Sequence, residues 1–335
     1  MIKNYRELHI HLEGSLSKNL LFDLWQETND APSRADFESW FKYTCFDDFL
    51  NLWCKHQLLL FNKFNPRMIV TRLVRDFFEY LQRFNIEYAE VHISPIDSLF
   101  LKYKLPKLFI MSEEYNVLIR MWDKAVTAVS KEFEDKHKVK LIIDFVRNYP
   151  EDVATWQLQN FRSNHVHFEN VIGVGLGGGS CTRRVGELSS IFYEIKNMGY
   201  HLFAHAGEHL PKDVAYQEVR DAIDLGVTRI GHGIHVVDNT ELVSELIAKD
   251  IALEVCPSSN VFTNSVSSFE KHPLRKLYDL GIPIIISSDD PTYFDTDIQK
   301  EFKLLKTELH FTDAEILDLH QNSIKYSVTK SLDSF

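Results

Sequence analysis

Eight short apolar or alternating runs are spaced along the chain, and most of the segments between them carry helical periodicity. The runs are Glu7 to Leu12, Tyr88 to Ile93, Lys140 to Val146, Val171 to Leu176, His201 to Ala206, Thr228 to His232, Ile251 to Val255 and Pro283 to Ser287. Arg184 to Met198, Val214 to Leu225, Asn239 to Lys249 and Pro273 to Leu280 read as amphipathic helices among them. A strand, a crossover helix and a further strand pair in parallel. Eight such units predict an α/β fold, a single (β/α)8 barrel filling residues 1–335 as one domain. Far more chain separates the first two runs than any later pair. Residues 17–85, with Phe46, Phe49, Leu50, Trp53, Leu58 and Leu59 at helical spacing, therefore read as a helical insertion near the barrel mouth.

The balance of 48 acidic against 37 basic residues gives a net charge of -11, and the longest basic cluster is Arg183-Arg184. That argues against a nucleic acid or an anionic membrane as partner and favours a small, weakly charged ligand. The four cysteines, Cys45, Cys54, Cys181 and Cys256, show neither zinc-ribbon pairing nor disulfide density. With no apolar leader in MIKNYRELHIHLEG and no long apolar stretch, the expectation is a cytoplasmic protein. Assembly with copies of itself is not readable from the chain.

Chemistry-bearing residues gather where the runs end. His9 and His11 alternate on the first, so both point to one side. His205 ends the fifth and Asp289 follows the eighth, on the face where barrel enzymes place their sites. Three neutral imidazoles and a carboxylate suit one Zn2+ with a position open for water, whose pKa such a site lowers towards ~7. Glu208 is placed to give a proton to a substrate heteroatom, His232 between glycines to act as general base, and Asp290 to accept a substrate hydrogen bond. Other patterns read blandly. His165-Val166-His167 repeats the H-x-H spacing without a Gly-terminated turn, and reads as surface histidines. His205 to His209 spells the inverted zinc-protease signature, but Gly207 and Pro211 deny it a helix. Gly173 to Gly178 satisfies G-x-G-x-x-G, yet no acidic residue ends the next run.

Taken in order, Glu7 to Gly14, His205-Ala206-Gly207-Glu208, Arg229 to Gly233, Glu254 to Asn260 and Ser288-Asp289-Asp290-Pro291 resemble the hallmark segments of the adenosine deaminase family. The resemblance implies a zinc-dependent barrel hydrolase that removes the 6-amino group of a purine, with adenosine as the first expectation. It implies zinc on His9, His11, His205 and Asp289, proton donation by Glu208 to purine N1, water activation by His232, and contacts from Asp290 to N7 and from Gly178 to N3. Glu13 matches the aspartate that meets the ribose 5′-hydroxyl. Acidic residues of the family are replaced by Gly175, Gly179 and Ser180, and an arginine by His92. Glu13, Gly175 to Gly178 and Phe294 lean towards the adenine and 6-aminodeoxyfutalosine deaminases; Tyr43 to Leu50 and Tyr88 to Val91 lean towards the second. The alternative from another class is a nucleoside-binding protein without turnover.

Overall fold

The computed structural model describes residues 2–43, 46–97, 99, 108–165, 168–178, 184–209 and 211–329. Eight strands form one parallel sheet in chain order: β1 Tyr5–His11, β2 Ile86–Ile93, β3 Lys138–Val146, β4 Val171–Gly177, β5 His201–Ala206, β6 Arg229–His232, β7 Ala252–Val255 and β8 Ile284–Ile286. Each predicted run overlaps one of them, and β1, β2 and β3 begin two residues before their runs. Strands of this composition are buried on both faces because helices cover the outside. The sheet closes beyond β8, where the His11 amide donates to the Asp289 carbonyl at 2.9 Å and the Asp289 amide to the His9 carbonyl at 3.1 Å. Closure into an α/β barrel thus seats Asp289 between His9 and His11.

A register shift decides which side chains of β1 enter the barrel. Glu7 pairs with Ala89 and Ile10 with Val91, three residues against two. The extra residue turns both Leu8 and His9 inward: Leu8 packs with Tyr88, Ala252 and Ile285, while His9 meets His92 and His205. Glu7 faces out, where Ser288 Oγ donates to it at 2.6 Å.

Among the described residues, four helices lie between β1 and β2: α1 Lys18–Gln26, α2 Arg34–Ser39, α3 Phe46–Lys63 and α4 Pro66–Arg83. Ser17, Ser33 and Asn65 cap α1, α2 and α4 by accepting from amides two or three residues on, and Pro66 sits at the first position of α4, where its missing N–H costs nothing. Ile69, Val70, Leu73, Val74, Phe77, Phe78 and Leu81 make one buried stripe along α4. α3 instead lays Phe49, Leu52 and Trp53 against Tyr293 and Phe294, beyond β8.

The barrel interior is not purely apolar. Arg229 pairs with Glu90 at 2.6 Å and with Glu254, all three fully buried. The same arginine donates to the carbonyl of Tyr326 at 2.9 Å, and the Val328 amide donates to Glu90 at 2.6 Å, so the C-terminal segment is tied to the strand interior. No helix among the described residues is long and apolar enough to cross a membrane.

Candidate active site

His9, His11, His205 and Asp289 converge at the C-terminal ends of β1, β5 and β8, and one ligand atom from each lies within 4.8 Å of the others. His11 Nε2 is 3.3 Å from His205 Nε2 and 3.4 Å from Asp289 Oδ1, and Asp289 Oδ1 is 3.7 Å from His9 Nε2. Burial, then the neighbouring imidazoles, lowers the pKa of all three histidines well below the usual value, which keeps them neutral as ligation requires. His9 Nε2 is buried without a hydrogen-bond partner. Three imidazole nitrogens, one of them buried and orphaned, and a carboxylate oxygen fit a divalent cation.

Partners outside the group fix its rings. His9 Nδ1 meets Glu254 Oε2 at 2.8 Å, and Glu254 is held in turn by Arg229. His205 Nδ1 donates to the Leu176 carbonyl at 3.1 Å, and Ser259 Oγ donates to Asp289 Oδ2 at 2.6 Å. Gly231 stands opposite His9, where a Cβ would lie 2.6 Å from the ring carbon Cε1. Glu254 and Ser259 lie within a segment quoted for the resemblance but had no assigned role. An acidic residue inside the apolar run Ile251 to Val255 was the available signal, since a buried charge needs a partner.

Beyond this group lies a cavity of about 310 Å³. Glu208, His232, Asp290 and Gly178 line it along with His11, His205 and Asp289. Phe46, Phe49, Leu50 and Trp53 from α3 and Phe294 form an apolar wall, and Asp97, Asp144 and Tyr149 a polar one. Gly178 has φ +88, and a Cβ there would strike Asn148 Oδ1 at 2.2 Å. Glu13 is not among the lining residues. It is 2 % exposed, accepts from the Ser94 amide at 3.1 Å, and burial raises its pKa to about 8.

His205 and Ala206 belong to β5 and a turn follows at Gly207, φ +69, so the inverted protease signature is strand and turn rather than helix. Its last residue has a use, because His209 Nε2 lies 3.1 Å from Glu208 Oε2. Burial favours the neutral Glu208 carboxyl, but the charge and hydrogen bond of the adjoining His209 more than reverse it and hold the pKa below the carboxylate range. In the free protein Glu208 is therefore ionised, whereas the sequence suggested an acid protonated in advance.

A relay sets the tautomer of His232, whose φ of +61 is itself unusual for a non-glycine residue. The Leu274 amide donates to His272 Nδ1 at 3.1 Å, so His272 carries its proton on Nε2 and donates to Asn260 Oδ1 at 3.2 Å. Asn260 Nδ2 then donates to His232 Nδ1 at 3.1 Å. Neutral His232 is left with its proton on Nε2, 3.7 Å from Glu208 Oε2 and 3.9 Å from Asp289 Oδ2.

The bland readings divide. Gly173 and Gly175 keep room for β5 and for Asp144, since a Cβ at either would lie 2.4 Å from the His201 carbonyl oxygen or 2.1 Å from Asp144 Oδ1. Val166, His167, Gly179, Ser180, Cys45 and Cys181 lie outside the described residues.

A family model described as adenosine deaminase matches residues 5–333. The adenosine deaminase of Shewanella loihica is 27 % identical over 322 residues, which is 95 % of this chain and 92 % of that protein. The adenine deaminase of Cupriavidus necator is 29 % identical over 327 residues, 95 % and 86 % of the two chains. Among solved structures, adenine deaminase from Arthrobacter aurescens superposes with a TM-score of 0.84 at 25 % identity, covering 98 % of this chain and 94 % of that one. The chain belongs to the adenosine deaminase family and is a hydrolase that deaminates a 6-aminopurine.

Proposed function

We propose that the protein is a zinc-dependent aminohydrolase of an uncharged 6-aminopurine nucleoside, adenosine before others, converting it with water to inosine and ammonia. The observation that carries this reading is the shared cavity: His11, His205 and Asp289 of the four-ligand group open into one space with Glu208, His232 and Asp290. Its volume of about 310 Å³ is at the lower end of the ~300–1,000 Å³ usual for small-ligand sites. Zinc held by His9, His11, His205 and Asp289 would supply a water acidified towards neutrality.

The chain's own residues do the rest. Attack at C6 breaks the ring's aromaticity and drives electron density to N1, so a proton delivered there stabilises the transition state most. Glu208, ionised at the start, takes the proton that the attacking water loses and passes it to N1. His232, with its proton on Nε2, holds the incoming oxygen by donating to it, and so serves as donor where the sequence suggested a base. Asp290, whose Oδ1 is buried without a partner, faces the ring nitrogen N7 as donor, because burial and then Asp289 raise its pKa well above the usual value. The apolar wall from α3 excludes water and stacks on the purine.

Ammonia release tests the reading, measured on zinc-loaded protein with adenosine, adenine, 6-aminodeoxyfutalosine and N6-methyladenosine. Turnover of none of them sinks it. A preference for free adenine is the second reading, favoured by the likeness to the Arthrobacter aurescens adenine deaminase. Glu208→Gln should keep zinc and lose about 10²–10⁴-fold in kcat, as removal of proton transfer does. Asp289→Ala should instead lose zinc by elemental analysis.

A further inference from the structure

One carboxylate inside the barrel has no part in the group that holds the metal or in the chemistry above. Asp144, on β3 and 1 % exposed, accepts from His92 Nδ1 through Oδ1 at 2.7 Å. Its second oxygen, Oδ2, is buried without a hydrogen-bond partner and lies 3.7 Å from His11 Nδ1. The opposite nitrogen of that ring, Nε2, faces His205 and Asp289. An imidazole that gives Nε2 to a cation carries its proton on Nδ1 and needs an acceptor there. His9 has one in Glu254, and His205 has one in the Leu176 carbonyl. For His11 the acceptor facing Nδ1 is Asp144.

We propose that Asp144, anchored by His92, is the positioning residue for His11, and that Gly175 is glycine to make room for it. A Cβ at Gly175 would lie 2.1 Å from Asp144 Oδ1 and 3.0 Å from His92 Nδ1. A carboxylate carried at position 175 on β4 would therefore occupy the place that Asp144 fills from β3. The two positions are alternatives for one job, and the pair cannot both be acidic. His92 completes the arrangement from β2, which pairs with β3 through His92 and Ile142. It pins one oxygen of Asp144 and leaves the other to His11.

The proposal rests on the zinc reading above, and wild-type zinc binding is the control that separates the two: a wild type that binds no zinc overturns that reading itself. The measurement is zinc affinity by competition with a chelator, together with KM and the melting temperature of the zinc-free protein. Asp144→Asn and Asp144→Ala should weaken zinc binding by roughly ten- to a hundredfold, as loss of such supporting partners does. Gly175→Asp should weaken it comparably by collision, and Gly175→Asp with Asp144→Gly should recover most of the loss. Asp144→Asn keeps the volume and decides the matter alone where Gly175→Asp does not fold. Asp144 also lines the cavity. If both Asp144 variants bind zinc as tightly as wild type and only KM rises, the residue touches substrate and the proposal falls. It falls equally if the double variant binds zinc no better than Gly175→Asp.

Discussion

Gly231 shows how tightly single residues constrain this site. It has no room for a methyl group, because the Cβ would sit 2.6 Å from His9 Cε1, and His9 is held from behind by Glu254 at 2.8 Å. The ring cannot retreat without breaking the pair that orients it. Gly231→Ala should therefore displace His9 and weaken zinc binding by about tenfold or more, with a smaller effect on the melting temperature of the zinc-free protein; unchanged zinc affinity in a chelator titration would show that the ring has slack. Such constraints were only half legible in the sequence. His9, His11, His205 and Asp289 stand out because polar residues at the ends of apolar runs are conspicuous. Their partners do not, since Glu254 and Asp144 gain meaning only when closure brings β7 to β1 and β3 to His11, at sequence separations that no local pattern encodes. The tautomer of His232 depends on Leu274, His272 and Asn260 together, and no spacing announces that relay.

At the scale of elements, the strands were legible almost to their ends, because parallel strands under helices are continuous apolar runs. The segment between β1 and β2 was readable as helical, but not the use of α3, whose Phe46, Phe49 and Trp53 have the same spacing that would bury them in any core. A contact between two helices supplies a testable consequence. Glu301, in the first turn of helix Ile298–Thr307, accepts from the Ser258 amide at 3.2 Å and from Thr296, and burial raises its pKa to about 7. A carboxyl raised in the folded state stays protonated there after the unfolded chain has lost its proton. Its stabilising contribution is complete below the unfolded value of 4.5 and is lost as pH rises to about 7. Glu301→Gln, neutral throughout, should gain melting temperature relative to wild type as pH climbs across that window, with the margin level above it. Melting curves from about pH 4 to about pH 9 check this, and a margin independent of pH would mean that Glu301 does not titrate there.

For the whole molecule the governing quantity is charge. The protein carries -11 overall, and the described residues lining the cavity include Asp97, Asp144, Glu208 and Asp289 but neither lysine nor arginine. A divalent cation held by His9, His11, His205 and Asp289 would offset part of this at one end of the cavity. At the polar wall Asp97, bonded to Tyr149 at 2.5 Å, has no such neighbour among the described lining residues, and burial raises its pKa only to about 6. It is mainly ionised at neutral pH. A 5′-phosphate adds roughly two negative charges to a nucleoside. Two unit charges about 5 Å apart in surroundings of effective dielectric near 20 repel by about 3 kcal/mol. That is enough for adenosine to be preferred over its 5′-monophosphate by roughly a hundredfold in kcat/KM, since ~1.4 kcal/mol is a factor of ten. The acidic surface adds a longer-range part that salt screens, whereas the contribution of a buried carboxylate persists. Raising ionic strength should therefore narrow the preference only partly, and Asp97→Asn should narrow it further at every salt concentration. Comparable kcat/KM for the two substrates in the wild type, or a ratio untouched by Asp97→Asn, would mean that the phosphate lies away from this wall and that the molecule's negative field does not choose its substrate.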